Sequence, residues 1–133
     1  MSDCVFCKIM KNEIPSFVVF EDDLVKVIMD INPVSEGHLL IIPKKHFENI
    51  FDADKEVLER INVVAQKMSI LCKEKLNCTG VNILNASGKD AQQSVFHLHY
   101  HIVPRYPKDG IDLWFPNNKD KIDTKSVFEK LKK

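Results

Sequence analysis

The chain has 133 residues, 44% of them hydrophobic, which suits one globular domain with a core of its own (residues 1–133). Nineteen basic residues cancel nineteen acidic ones, so the overall field gives no support to nucleic-acid binding, and an anionic ligand must be caught by a local site. No apolar run is long enough to cross a bilayer, and Met1-Ser2-Asp3-Cys4 lacks the basic and apolar regions of a secretory leader. With no sign of export, the cysteines at 4, 7, 72 and 78 are expected as reduced thiols in a cytoplasmic protein.

In chain order, the first element is Phe17-Val18-Val19-Phe20, followed by the acidic turn Glu21-Asp22-Asp23 and a second apolar run from Leu24 to Met29. The pair predicts a β-hairpin. Asp30-Ile31-Asn32-Pro33 breaks the pattern, because proline restricts its predecessor and cannot donate to a ladder. Leu39-Leu40-Ile41-Ile42 forms a third strand between Gly37 and Pro43. Asp52 or Asp54 is placed to cap a long helix, whose apolar stripe is Val57, Leu58, Ile61, Val64, Ala65, Met68, Leu71 and Cys72. Gly80 closes that region and Val81 to Leu84 is a fourth strand. A polar loop follows from Asn85 to Asp90, then a fifth strand from Val95 to Val103, ended by Pro104. A short helix capped by Asp123 or Thr124, with Val127, Phe128 and Leu131 facing inward, closes the chain. Strands in mostly hairpin order around one long helix predict an α+β fold with an antiparallel sheet of about five strands.

The segment His97-Leu98-His99-Tyr100-His101 carries the chemistry. In a strand, alternate side chains share a face, so the three histidines lie in a row at roughly 6–7 Å spacing while Leu98, Tyr100 and Ile102 supply the core. Folding does not ask for three imidazoles in alternation. Three readings fit the pattern: a solvated face, a metal site with two histidine ligands, or nucleophilic attack on phosphorus by an imidazole whose neighbour donates a proton.

The run from Gln93 to Val103 resembles the His-x-His-x-His signature of the histidine triad family. Glu13-Ile14-Pro15, Val19 to Asp23, Asp30 to Pro33, and His38 through Ile42-Pro43-Lys44-Lys45-His46 resemble the family's other blocks, in the same order. The resemblance runs from about Cys4 to Arg105, leaving 106–133 as a tail, and it is to the nucleotide-binding branch. It implies a homodimer that joins two sheets into one. It also implies hydrolysis of purine nucleoside 5′-phosphoramidates or acyl adenylates through a nucleotidylated histidine, with a nucleotide such as AMP or GMP bound. Diadenosine polyphosphate cleavage, or nucleotide binding with incidental turnover, are the other activities to weigh. No organic cofactor, nucleic acid or membrane partner is implied.

By the same resemblance, His99 is the nucleophile, His101 contacts the phosphate and leaving group, and His38 orients the imidazoles. Ser94, with the backbone around Gln92 and Gln93, holds the phosphate; Asp30 binds the ribose; Phe6, Ile9, Ile31 and Val95 wall the base; Asn85 lies near ribose and phosphate. The family usually has glycine where this chain has Gln92, and the Asn85–Asp90 loop carries one extra residue. Cys4-Val5-Phe6-Cys7 is half of a tetrahedral site. Bacterial members complete it with histidines matching His46 and His97, which implies a structural zinc on Cys4, Cys7, His46 and His97. Trp114 lies in a tail that is either an anchor or an element shaping leaving-group choice.

Overall fold

The computed structural model describes residues 3–132; Met1, Ser2 and Lys133, the outermost residues of the expected 1–133 span, lie outside the described residues. Its framework is a five-stranded antiparallel sheet of β1 (Val18–Glu21), β2 (Val25–Met29), β3 (Leu39–Pro43), β4 (Gly80–Leu84) and β5 (Tyr100–Arg105), in the order β1-β2-β3-β5-β4. Three helices accompany it: α1 (Val5–Met10), the 22-residue α2 (Lys55–Leu76) and α3 (Thr124–Leu131). No described helix is long and apolar enough to cross a membrane.

Both central strands are buried on both faces, so they read as continuous apolar runs rather than alternating ones. On one face, Val25, Val27, Leu39 and Ile41 pack against the α2 stripe of Val57, Ile61, Val64, Ala65, Met68 and Cys72. On the other, Ile28, Leu40 and Ile42 pack against Phe6 and Ile9 of α1. The sheet is thus sandwiched between a long helix and a very short one.

The expected hairpin is present, with Glu21 inside β1. Asp54 is the N-cap of α2 by backbone, but its side chain makes no capping bond. Asp52 instead accepts from the backbone N–H groups of Glu48 and Asn49, closing the turn ahead of the helix. Asn77, left-handed at φ 60°, ends α2.

Three expectations need correction. The fifth strand begins at Tyr100, not Val95, because the preceding backbone is engaged elsewhere: Leu98 N–H donates to Phe47 O, and Val95 O accepts from the Gln93 side chain. Nor does Pro104 end it. The residue pairs with Val81 of β4 beyond the end of β3, whose last partner is Ile102, and proline is tolerated on such a margin. The closing helix forms, capped by Asp123 accepting from Ser126 N–H, but Val127, Phe128 and Leu131 are 41, 57 and 76% exposed rather than inward. Its apolar face finds no partner among the described residues. Trp114, 87% exposed, does not anchor the tail either. That is done by Arg105, which pairs bidentately with Asp109 at 2.9 and 3.0 Å and also donates to Ile111 O.

Candidate active site and metal centre

Helix α1 begins with its own cap. The Cys4 thiol accepts the Cys7 N–H at 3.3 Å, which folds the two sulfurs into the first turn of the helix. The loop after β3 brings His46 to them, and the segment before β5 brings His97. Cys4 Sγ lies 3.3 Å from His97 Nδ1, Cys7 Sγ 3.3 Å from His46 Nδ1 and 3.5 Å from His97 Nδ1, and the two Nδ1 atoms are 3.1 Å apart. A tetrahedral zinc, with nitrogens at ~2.0–2.1 Å and sulfurs at ~2.3 Å, separates its ligand atoms by roughly 3.3–3.8 Å. The donor set fits that ion, and the three sulfur–nitrogen separations fall within this range, the two Nδ1 atoms lying slightly closer. Both cysteines are free thiols, and His97 Nε2 donates to Pro43 O at 2.8 Å, which leaves Nδ1 as the lone-pair nitrogen facing the cluster. Burial holds His97 near a pKa of about 4, so the ring is neutral, as a ligand must be.

The same residue organises its neighbour. The backbone carbonyl of His97 accepts from His99 Nδ1 at 2.9 Å. A carbonyl can only accept, so the His99 proton sits on Nδ1 and Nε2 keeps its lone pair. The His99 carbonyl is in turn held by Asn85 Nδ2 at 3.0 Å. Phe6 stands edge-on to both rings, with centroids 5.8 Å from His97 and 5.1 Å from His99.

A second chain of tautomers starts at a backbone amide. Val34 N–H donates to His38 Nδ1 at 3.2 Å, which places the His38 proton on Nε2. That nitrogen is 2.9 Å from His101 Nδ1 and 3.4 Å from Asp30 Oδ2. His101 therefore accepts at Nδ1 and carries its proton on Nε2. Burial lowers the pKa of all three: His38 and His99 in direction, and His101 to about 4, with Asp30 opposing the shift in each. The row is neutral at neutral pH, with a free lone pair on His99 beside an N–H on His101, ring centroids 5.1 Å apart.

Both rings open into a cavity of about 430 Å³, lined also by Phe6, Ile9, Asp30, Ile31, Ser94 and Val95. A more open cavity of about 590 Å³ adjoins it across Ser94 and Val95, on the outer side of the metal cluster. Its volume is larger, but the buried histidine row faces only the smaller one. Only His101 of the triad lies within β5; His97 and His99 precede it, although Phe6 still meets both from one side.

Three of the expected contact residues do not line that cavity. Gln93 is buried, and its amide donates to Glu48 O and Val95 O while its oxygen accepts from Gly88 N–H. Asn85 is committed to the His99 carbonyl and to the Ser87 hydroxyl. Gln92 is exposed and sits in the left-handed region at φ 67°, ψ 32°, the conformation glycine adopts freely. Gln92 therefore holds, with a side chain, a conformation that glycine would adopt without strain. Pro43 and Val34, whose backbone groups set two of the ring tautomers, carry no sequence signal for that role.

Residues 11–108 match the HIT domain family. An uncharacterised HIT-like protein of Borreliella burgdorferi is 46% identical over 113 residues, 83% of this chain and 81% of its own. The adenosine 5′-monophosphoramidase HNT1 of Saccharomyces cerevisiae is 36% identical over 90% of this chain and 74% of its own. A zinc-bound histidine triad family protein of Mycobacterium smegmatis superposes with a TM-score of 0.81 at 34% identity, over 90% of this chain and 87% of that one.

Proposed function

The chain belongs to the HIT family, and on that premise we propose that it is a nucleotide-binding hydrolase that releases a nucleoside monophosphate from purine nucleoside 5′-phosphoramidates or acyl adenylates. One observation carries the reading: a buried, neutral His99 whose Nε2 lone pair and the Nε2–H of His101 share one cavity. A nucleophile and a charge-stabilising donor are what phosphoryl transfer asks of a protein.

In this reading the base lies between Phe6, Ile9, Ile31 and Val95, and Asp30 accepts from the ribose hydroxyls. Ser94 and the neighbouring amides hold the phosphate. His99 Nε2 attacks phosphorus, the bond to the leaving nitrogen or carboxylate oxygen breaks, and water then hydrolyses the phosphorus–His99 bond. His101 donates to the phosphoryl oxygens as charge builds, and His38 keeps that donor in its tautomer. An amine leaves with a proton supplied by solvent; a carboxylate needs none. Cys4, Cys7, His46 and His97 would hold a zinc ion, which would tie α1 to the catalytic segment. We further propose a cytoplasmic homodimer with the two sheets continuous; β4 is a sheet edge, with Ile83 and Leu84 47 and 38% exposed.

The test is release of AMP from adenosine 5′-phosphoramidate by wild type and by His99→Ala. Wild type should turn over, and the variant should lose at least a hundredfold in kcat. Full activity in the variant refutes the mechanism, and an inert wild type that binds AMP supports a regulatory nucleotide-binding role instead.

A further inference from the structure

Lys26, the second residue of β2, is 1% exposed and, among the described residues, has no carboxylate in salt-bridge contact. Its neighbours across the ladder are Ile42 and Glu21, and the Glu21 carboxylate is bonded to Lys44. The Glu21 carboxylate still feels the Lys26 charge, but a buried ammonium with no carboxylate in direct contact is costly unless other polar groups replace water around it. Here they belong to α1 and the turn that ends it: Nζ donates to Ile9 O and to Asn12 Oδ1, each at 3.1 Å.

Those acceptors are the C-terminal lock of the helix. Asn12 N–H donates to Ile9 O and Glu13 N–H to Lys8 O, with Asn12 left-handed at φ 61°, the pattern of a Schellman cap. The ammonium adds a third donor at the negative end of the helix. The clamped helix carries the cavity walls Phe6 and Ile9, and Phe6 rests against His97 and His99. A six-residue helix has too few internal bonds to hold its own position. We propose that Lys26 is a positioning residue: through Ile9 O and Asn12 it fixes α1 against the sheet and so sets the shape of the base-binding wall. The inference rests on the nucleotide-hydrolase reading above.

Lys26→Met keeps the length and apolar stem of the side chain and removes its donors. Asn12→Gly keeps the left-handed backbone and removes one acceptor, and it serves if Lys26→Met does not fold. Calorimetric AMP binding and steady-state hydrolysis of adenosine 5′-phosphoramidate are compared for wild type, both variants and Lys26→Arg. The expected result is AMP affinity and KM weakened about three- to tenfold in Lys26→Met, and less in Asn12→Gly, with kcat within about twofold. Lys26→Arg, which keeps donors, should recover part of the loss. A residue that only stabilises the fold would lower the melting temperature and leave the KM of the folded protein unchanged. Unchanged AMP affinity in folded Lys26→Met, or in Asn12→Gly where the first does not fold, overturns the proposal. A wild type that binds no AMP overturns the parent reading instead.

Discussion

Replacing Gln92 with glycine should stabilise the protein, although substitutions to glycine usually do the opposite. Gln92 is held at φ 67°, ψ 32°, on the short 3₁₀ turn Lys89–Ala91 that leads to Gln93 and Ser94. The left-handed region costs a residue with a Cβ on the order of 1–2 kcal/mol. Glycine removes that cost and returns about 0.5–1 kcal/mol to the unfolded chain as backbone entropy. The side chain is exposed, so little packing is lost. The net gain is about 0.5–1 kcal/mol, or about 2–4 °C in melting temperature for a chain of this size. Thermal and urea unfolding of Gln92→Gly, Gln92→Ala and Gln92→Val measure it directly. Alanine keeps the strain and should match glutamine, whereas β-branched valine should fall below it. A glycine variant no more stable than the alanine variant would show that the backbone at 92 is not strained and refute the reasoning.

Gly37 tests the opposite case: at φ +89°, an added Cβ would stand 2.5 Å from Leu76 Cδ1 and 3.1 Å from Pro104 Cγ, so Gly37→Ala should cost roughly 2–4 kcal/mol in urea unfolding. The pH profile is set by burial. With His101 at about 4, and His38 and His99 also below the usual 6.5, kcat should hold level through pH 6.5, and an acid limb centred there would contradict neutral, buried rings. Stability follows the same sign, since the unfolded chain binds these protons first: the His101 contribution is whole above pH 6.5 and is lost progressively down to about 4, seen as a falling urea midpoint. For the metal-loaded protein, thiol titration should find Cys4 and Cys7 protected until a strong chelator is added, and the buried Cys72 and Cys78 protected until unfolding. Reaction of Cys4 and Cys7 before chelation would argue against a four-ligand metal there.

Much of this architecture was legible because its elements are long or repetitive. The α2 stripe and the hairpin follow from periodicity, and the family resemblance implied the Cys4, Cys7, His46 and His97 set that the fold does bring together. What escaped was short or depended on backbone partners. Helix α1 is six residues, less than two turns, so no apolar period can establish itself. The resemblance assigned only the backbone around Gln93 to the phosphate; that its side chain, with two donors and an acceptor, ties the loop's own carbonyls together depends on partners distant in sequence. Lys26 is a single charged residue inside the apolar run from Leu24 to Met29, and nothing in that run marks its role. Only the short helix laid over β2 gives its ammonium somewhere to go.

The shared role of His97 constrains how this protein can be dissected. Its ring belongs to the sulfur–nitrogen cluster, and its carbonyl dictates which nitrogen of His99 is free. An alanine scan across the triad would score position 97 as catalytic even though its side chain is aimed away from the histidine-lined cavity. The damage would reach His99 through a displaced main chain, a path that no side-chain rescue at 99 could repair. The three histidines of the motif are therefore not three equivalent parts: two face the cavity, and the first is the joint on which they are mounted.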